Sequence, residues 1–233
     1  MKLPSSWQRG LALVALAAGS CLVSASPVAD PKETFGLLHY VRPNFPVLAS
    51  SQGIFEGAAW VAVGWDDLGY ARDVLVLRAT HPAVGRAVAE AVSGWRRDPA
   101  RRRAEQESFV VEFKAEGIVI AAVGASTLLP ATALKIDRIP HRADLDAEPR
   151  AVQQPMPALP VGAAASARGG RVVVSFYVDE SGQVRAVNIV EASAPEFAAA
   201  TLEALRQWRY APPRMHGRPT VYVEQWAFDF SRR

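Results

Sequence analysis

The chain has 233 residues and contains an internal repeat, which constrains its fold more than any other feature of the sequence. When residues 66–99 are laid over residues 179–212, an offset of 113 without a gap, 12 of the 34 positions are identical. The matched residues that define the pattern are Asp66, Gly69, Trp95 and Pro99 in the first copy and Asp179, Gly182, Trp208 and Pro212 in the second. Because there are only two copies, separated by a long spacer, the sequence predicts two small tandem domains of similar fold rather than a solenoid.

Each copy shows the pattern of two strands, a helix and a further strand. In the second copy, apolar residues alternate over 172–178 and again over 184–190, which predicts two strands, and Asp179 to Gly182 supply the turn between them. Ser193 stands three residues before Glu196, a spacing typical of a helix capping box. The fold class predicted is α+β, with two tandem small domains, each a strand-strand-helix-strand unit with an antiparallel sheet and one packed helix.

The last strand of each unit is marked by aromatic residues at alternating positions. Residues 221–230 form this strand in the second copy, with Tyr222, Trp226, Phe228 and Phe230 on one face. Phe109, Val111 and Phe113 are the corresponding residues of the first copy. There the sequence also predicts one more strand over residues 118–123.

Changes of composition give the domain boundaries. The proline-rich stretch between the copies interrupts regular structure and predicts a linker. The predicted segments are a signal peptide (1–25), a lead-in (26–45), a first domain (46–126), a Pro-rich linker (127–153) and a second domain (154–233).

The N-terminus has the features of a secretory signal. Lys2 and Arg9 precede an apolar run of about 13 residues, shorter than the ~20 needed to span a bilayer, and small residues lead to a predicted cleavage between Ala25 and Ser26. Two alternatives are a lipoprotein acylated at Cys21 and an uncleaved anchor. Cys21 is the one cysteine of the chain, so an internal disulfide is excluded.

Composition and motifs argue against catalysis, a metal site and nucleic-acid binding. The formal charge is only +3, which creates no strong field for nucleic acid. Asp66 and Asp179 fit turn chemistry better than acid–base pairs, and Ser126 lacks the context of a nucleophile. The sequence therefore predicts no catalytic residue, no cofactor and no metal. No two of the four histidines are spaced as metal ligands usually are; they are His39, His81, His141 and His216. The basic cluster, predicted to be a solvated helix end, is Arg96, Arg97, Arg101, Arg102 and Arg103.

The second copy resembles the C-terminal domain of TonB, the periplasmic domain of bacterial energy transducers. The stretches that carry the resemblance are residues 154–157, 170–178, 179–182, 184–190, 208–212 and 217–219. The first copy resembles the family more distantly, since it has Arg97 where the second has Tyr210 and lacks a Gly-x-Pro sequence before its last strand.

The resemblance implies a periplasmic protein-binding module that acts by strand addition, in which an extended segment of the partner pairs with an open sheet edge. Such an edge offers unpaired N–H and C=O groups, so it needs almost no side-chain signature. The predicted partner-binding strand comprises Val221, Tyr222, Val223, Glu224, Gln225, Trp226 and Phe228, guarded only by the charges of Glu224 and Asp229. A protein partner or self-association is expected there.

An energy transducer anchored by an uncleaved or lipidated N-terminus is the alternative function. It is disfavoured because the sequence has no adequate span and no long spacer, and its first histidine, His39, lies outside the apolar run. Membrane contact is expected only if Cys21 is lipidated or the N-terminus is uncleaved.

Overall fold

The computed structural model of the chain describes residues 32, 35–101, 106–114, 117–123, 138–160 and 169–230. The predictions that concern the signal peptide, Cys21, Ala25, Ser26, Arg102, Arg103 and Ser126 lie outside these residues. No helix in the described ranges has the length and hydropathy needed to cross a membrane.

The first unit is a four-stranded antiparallel sheet covered on one face by a helix. Its elements are β1 (Leu37–His39), α1 (Val47–Ser51), β2 (Gly57–Trp65), β3 (Ala71–Ala79), α2 (Pro82–Ser93), β4 (Arg96–Arg97), β5 (Gln106–Lys114) and β6 (Gly117–Val123). The strand order is β3-β2-β5-β6, while the short β1 pairs with β4. The extra strand predicted after β5 is confirmed as β6.

The second unit has the same plan with a three-stranded sheet. Its elements are β7 (Ala151–Gln153), β8 (Gly170–Val178), β9 (Val184–Ala192), α3 (Pro195–Arg206), β10 (Arg209–Tyr210), β11 (Arg214–Met215), β12 (Arg218–Pro219) and β13 (Tyr222–Phe230). The strand order is β13-β8-β9, and β7 pairs with β10. The predicted α+β class with antiparallel sheets is confirmed.

The two units repeat at the level of single hydrogen bonds. β2, β3, α2 and β4 have the same lengths as β8, β9, α3 and β10, each displaced by 113 residues. Asp66 accepts hydrogen bonds from the Leu68 and Tyr70 N–H groups, as Asp179 does from those of Ser181 and Gln183. The tight turn needs glycine because Gly69 and Gly182 have φ of +82° and +87°.

The N-terminus of α3, the helix of the second unit, differs from the capping box predicted from sequence. The N-cap of α3 is Ala194, which provides no side-chain bond, and Pro195 occupies the first turn. The Ser193 hydroxyl instead bonds the backbone of Arg171 on β8. In the first unit His81 is the N-cap of α2 and accepts a hydrogen bond from Ala83 N–H.

Each unit has its own core between sheet and helix. The first core gathers around Trp95 and Phe109, and the second around Trp208 and Phe176; both indoles are fully buried. Each tryptophan is tied to a segment ahead of the main sheet of its unit, because Trp95 Nε1 donates to Val41 O at 2.8 Å and Trp208 Nε1 donates to Pro155 O at 2.9 Å. Val41 lies in the predicted lead-in, which therefore contributes a contact to the first core, whereas Pro155 lies within the predicted second domain.

A third apolar cluster joins the two units through the sheet faces that carry no helix. The buried members are Trp60, Ala62, Leu75, Leu77 and Val110 from the first sheet, with Ile139, Ala186 and Val221. Asp73 lies at the rim of this cluster, where it accepts hydrogen bonds from Ala186 N–H at 2.7 Å and from the Arg185 guanidinium. Packing of the two faces fixes the orientation of β9 and β13 relative to the first unit.

Candidate partner-binding edge

The candidate site is the outer edge of β13. This strand pairs on one side with β8 over nine residues, from Tyr222 opposite Val178 to Phe230 opposite Gly170, without an irregularity. No described strand lies on its other side. A regular strand in this position presents its outward backbone groups at even spacing.

Side chains alternate across β13 as the sequence predicts. Tyr222, Phe228 and Phe230 are buried in the second core, with Trp226 packed against it, while Val221 and Val223 lie on the face that meets the first unit. Gln225 is exposed. The burial of alternate side chains fixes the register of the strand.

The backbone direction at the edge follows from one hydrogen bond. Val223 N–H donates to the carbonyl of Pro140 at 3.0 Å, on the side away from β8. Because successive backbone groups of a strand alternate in direction, the N–H and C=O groups of Gln225, Ala227 and Asp229 also point away from β8. We call these three residues the open edge; no backbone hydrogen bond joins them to another described segment on that side.

Residues 138–142, here called the capping segment, cover the start of the strand. His141 forms a parallel bridge with Val223, and Ile139 is buried between the two sheets. Arg138 makes a bidentate pair with Asp144 at 2.8 and 2.7 Å. This guanidinium, together with the His141 N–H, lowers the pKa of the exposed Asp144 carboxyl to about 2. The open edge therefore begins after Val223.

Glu224 does not guard the edge as the sequence predicts, because its side chain is buried on the core face. It lies 8% exposed and forms an ion pair with Arg142 at 3.4 Å. Burial, reinforced by this carboxylate, raises the pKa of the Tyr222 and Tyr210 hydroxyls above the ordinary value for tyrosine. Asp229 is the charge that remains at the surface, where it pairs with Arg171 at 3.5 Å.

An apolar group adjoins the open edge on its core side. Trp226 is half-buried, and its ring centroid lies 5.1 Å from that of Trp208. Because Trp226 stands between Gln225 and Ala227, its ring is apolar surface beside their outward backbone groups.

The equivalent edge of the first unit is covered by its own chain. β5 pairs with β2 as β13 pairs with β8, since Phe113 lies opposite Gly57 and Phe230 lies opposite Gly170. In the first unit β6 then pairs with the other side of β5 in an antiparallel register. The second unit has no strand equivalent to β6 among its described residues. The outer side of β13, which corresponds to the side of β5 that β6 covers, is therefore not covered by a described strand.

Arg97 departs from the predicted solvated helix end. It is 4% exposed, lies over the Trp65 ring at 5.1 Å and forms an ion pair with Glu107 at 3.7 Å. It occupies the position of Tyr210 in the second unit. A guanidinium is thus buried in the first unit where the second has a phenol.

The remaining sequence-predicted residues are structural. The Asp66 and Asp179 carboxylates cap their turns; burial opposes ionisation, but hydrogen bonds from backbone N–H groups and an arginine outweigh it and lower the pKa of both. Pro99 starts a short 3-10 helix and Pro212 follows β10.

Within the described ranges no group of three or more potential metal-ligating side chains occurs. The capping segment and the burial of Glu224 carry no sequence signal, because both depend on contacts between distant residues.

Comparison with known proteins found similarity within the second unit. Residues 155–231 match the family model of the Gram-negative bacterial TonB protein C-terminal. A solution structure of the Pseudomonas aeruginosa TonB C-terminal domain is 24% identical and is similar over 38% of this chain and 93% of that chain, with a TM-score of 0.33. The comparison with curated proteins gave no match. The resemblance stated from sequence is confirmed for residues 155–231, within the second unit.

Proposed function

Because residues 155–231 match the TonB C-terminal family, we propose that the chain is an exported periplasmic module that binds a protein partner by strand addition at β13. The partner supplies a short extended segment, which pairs with the backbone of Gln225, Ala227 and Asp229. Export follows from the predicted signal peptide, so the mature chain begins at Ser26. The single observation that carries the proposal is the open edge: β13 is fully paired with β8 on one side, and on its other side the backbone groups of Gln225, Ala227 and Asp229 have no partner among the described residues.

The second unit is the binding unit because the first cannot accept a strand in the equivalent place. β6 already completes the hydrogen-bond ladder of β5 over seven residue pairs. A partner strand could pair with this side of β5 only by displacing β6, so its hydrogen bonds would merely replace those that β6 already makes. The first unit instead supports the site, since its sheet packs behind Val221 and Ile139 at the start of the edge.

Backbone pairing gives affinity, and the flanking surface gives selectivity. Each new hydrogen bond contributes about 0.5–1.5 kcal/mol after exchange with water. An apolar side chain on the core side of the added strand would contact Trp226, which adds about 25 cal/mol for each Å² removed from water. These terms favour a short partner segment with apolar residues at alternate positions.

Substitution of Gln225 by proline tests the proposal. Proline removes the outward N–H and blocks a neighbouring strand, yet it is tolerated at a sheet edge because no bond to β8 is lost. The variant should keep its circular dichroism spectrum, and the yield of partner crosslinked in the cell envelope should fall about tenfold or more, as expected for a loss of about 1.4 kcal/mol.

Gln225→Ala is the matched control, because it removes the same side chain and keeps the N–H. It should capture the partner at nearly the wild-type yield. If folded Gln225→Pro captures the same partner as well as Gln225→Ala does, strand addition at β13 is not the binding mode.

A further inference from the structure

We propose that the outer edge of β6 is a second interaction surface, and that it pairs with β6 of another copy of this chain. The resulting dimer is distinct from partner binding at β13 and does not depend on it. The edge belongs to the first unit, on the far side of the sheet order β3-β2-β5-β6. No other described strand pairs with it.

The composition of β6 sets it apart from every other sheet edge in the described residues. Its seven residues are Gly, Ile, Val and Ala only, without charge or proline, and its pairing with β5 has no irregularity. Proteins normally protect edges with charges, prolines or bulges, because an unprotected edge pairs with any available strand. A regular uncharged edge is therefore a surface that pairs unless something covers it.

The other three edges of the two sheets carry such protection. β3 carries Arg72, Asp73 and Arg78, and β9 carries Arg185 together with an irregularity at Ala186, whose φ is +45°. At β13 the capping segment covers the start of the strand and Asp229 places a charge near its end, so only the open edge between them is accessible. Since β6 has neither a charge nor a described cover along its length, we infer that β6 is an interface.

A second copy fits this edge because the strand is complementary to itself. Antiparallel pairing about a two-fold axis at Ile120 places Ile118 of one copy opposite Ala122 of the other, so that large side chains lie beside small ones. No charge on the strand selects a partner of opposite sign, and none repels a copy. A two-fold contact of this kind closes on itself and gives a dimer.

The exposed side chains of β6 lie where this pairing would cover them. Val119 is 37% exposed on the face opposite the core, and Ala122 is exposed at the end of the strand. Ile118 and Ile120 pack against the first core and are only half-buried. A neighbouring strand would cover the exposed part of both, and the joined sheet would have eight strands, which is within the range of ordinary sheets.

Sedimentation equilibrium of the full chain tests the proposal. Small interfaces are weak, so the measurement extends to about 0.5 mM chain. The wild type should approach twice the mass of a single chain. Ala122→Lys places a charge at the interface on a side chain that is exposed in the single chain, so the fold should persist by circular dichroism and the dissociation constant should rise about tenfold or more.

Ala227→Lys is the matched control, since it makes the same change at the open edge of β13. It should leave the dimer intact. A chain that stays monomeric over the whole concentration range overturns the proposal. So does a dimer that Ala227→Lys dissociates and Ala122→Lys does not, because that dimer forms through β13. Polymers larger than a dimer that both variants abolish overturn it as well, because they indicate head-to-tail pairing of β6 with β13.

Discussion

Equivalent positions of the two units carry different buried polar side chains, although the strands and helices of the two units correspond. In the first unit, the buried Arg97 pairs with Glu107. The second unit has Tyr210 in place of the arginine, and its glutamate, Glu224, is neutralised by Arg142 from the preceding segment. A buried carboxylate needs a cationic or hydrogen-bonding partner. The exchange of Arg97 for Tyr210 therefore requires the capping segment to supply a cation.

Trp95 in the first core and Trp208 in the second are the largest fully buried side chains of the described residues. Trp208 contacts the rings of Phe176, Tyr210, Trp226 and Phe228 at centroid distances of 5.9, 6.3, 5.1 and 5.6 Å. Trp95 contacts Tyr40 and Phe109 in the same way. Both side chains also hold the preceding segment through the indole N–H.

Truncation of either tryptophan to alanine should lower the free energy of unfolding by about 3–5 kcal/mol, because it leaves a large cavity and an unpaired carbonyl. Urea unfolding of the full chain, followed by circular dichroism, measures the loss. Val190→Ala, at a site that is 54% exposed on β9, is the control and should change stability by about 0.5 kcal/mol or less. A loss below about 1 kcal/mol for either tryptophan would show that the repeat does not mark equivalent cores.

At the scale of elements, the sequence predicts what local patterns determine. Alternation over 172–178, the turn at Gly182 and the apolar stripe of α3 each depend on neighbours within a few residues, so strands, turn and helix are all where the sequence places them. The capping box at Ser193 is wrong because the hydroxyl has a competing partner, Arg171, 22 residues away. Local spacing carries no information about such a partner.

The strand and its proposed role as the partner-binding edge could be predicted from sequence, but not which of its backbone groups are accessible. Aromatic alternation identifies residues 221–230 as a strand, whereas which of its N–H groups face outward depends on its pairing with β8. The capping segment is harder to predict, because Pro140 and the other prolines of residues 127–153 are typical of a linker. In the structure, Pro140 provides a carbonyl to Val223, and Ile139 packs between the sheets.

At the scale of the whole molecule, a charged residue, Asp73, lies at the rim of the apolar contact between the units. Asp73 is the position equivalent to Ala186, and the two residues meet across the interface through the Ala186 N–H. Arg185 connects Asp73 to Asp179, with 3.3 Å to the latter. Neither the pairing of these faces nor this cluster has a periodic signature, so sequence alone predicts two domains and not their packing.

Asp73→Ala should lower the free energy of unfolding of the full chain by about 1–3 kcal/mol, because the buried Ala186 N–H loses its acceptor. Arg72→Ala removes the neighbouring ion pair with Asp66, in which the arginine side chain is 69% exposed, and should cost about 0.5 kcal/mol or less. Urea unfolding compares the two variants. Equal effects would contradict a structural role for the Asp73 cluster.

Residue-resolved amide hydrogen exchange tests whether the open edge of β13 receives the partner. In the free chain, the N–H groups of Gln225, Ala227 and Asp229 should exchange fast, while those of Val223 and Trp226 should be protected by Pro140 and by β8. In the complex, the exchange of the same three groups should slow by about tenfold or more, because they donate to the added strand. A bound partner that leaves the exchange of all three unchanged would rule out strand addition at β13.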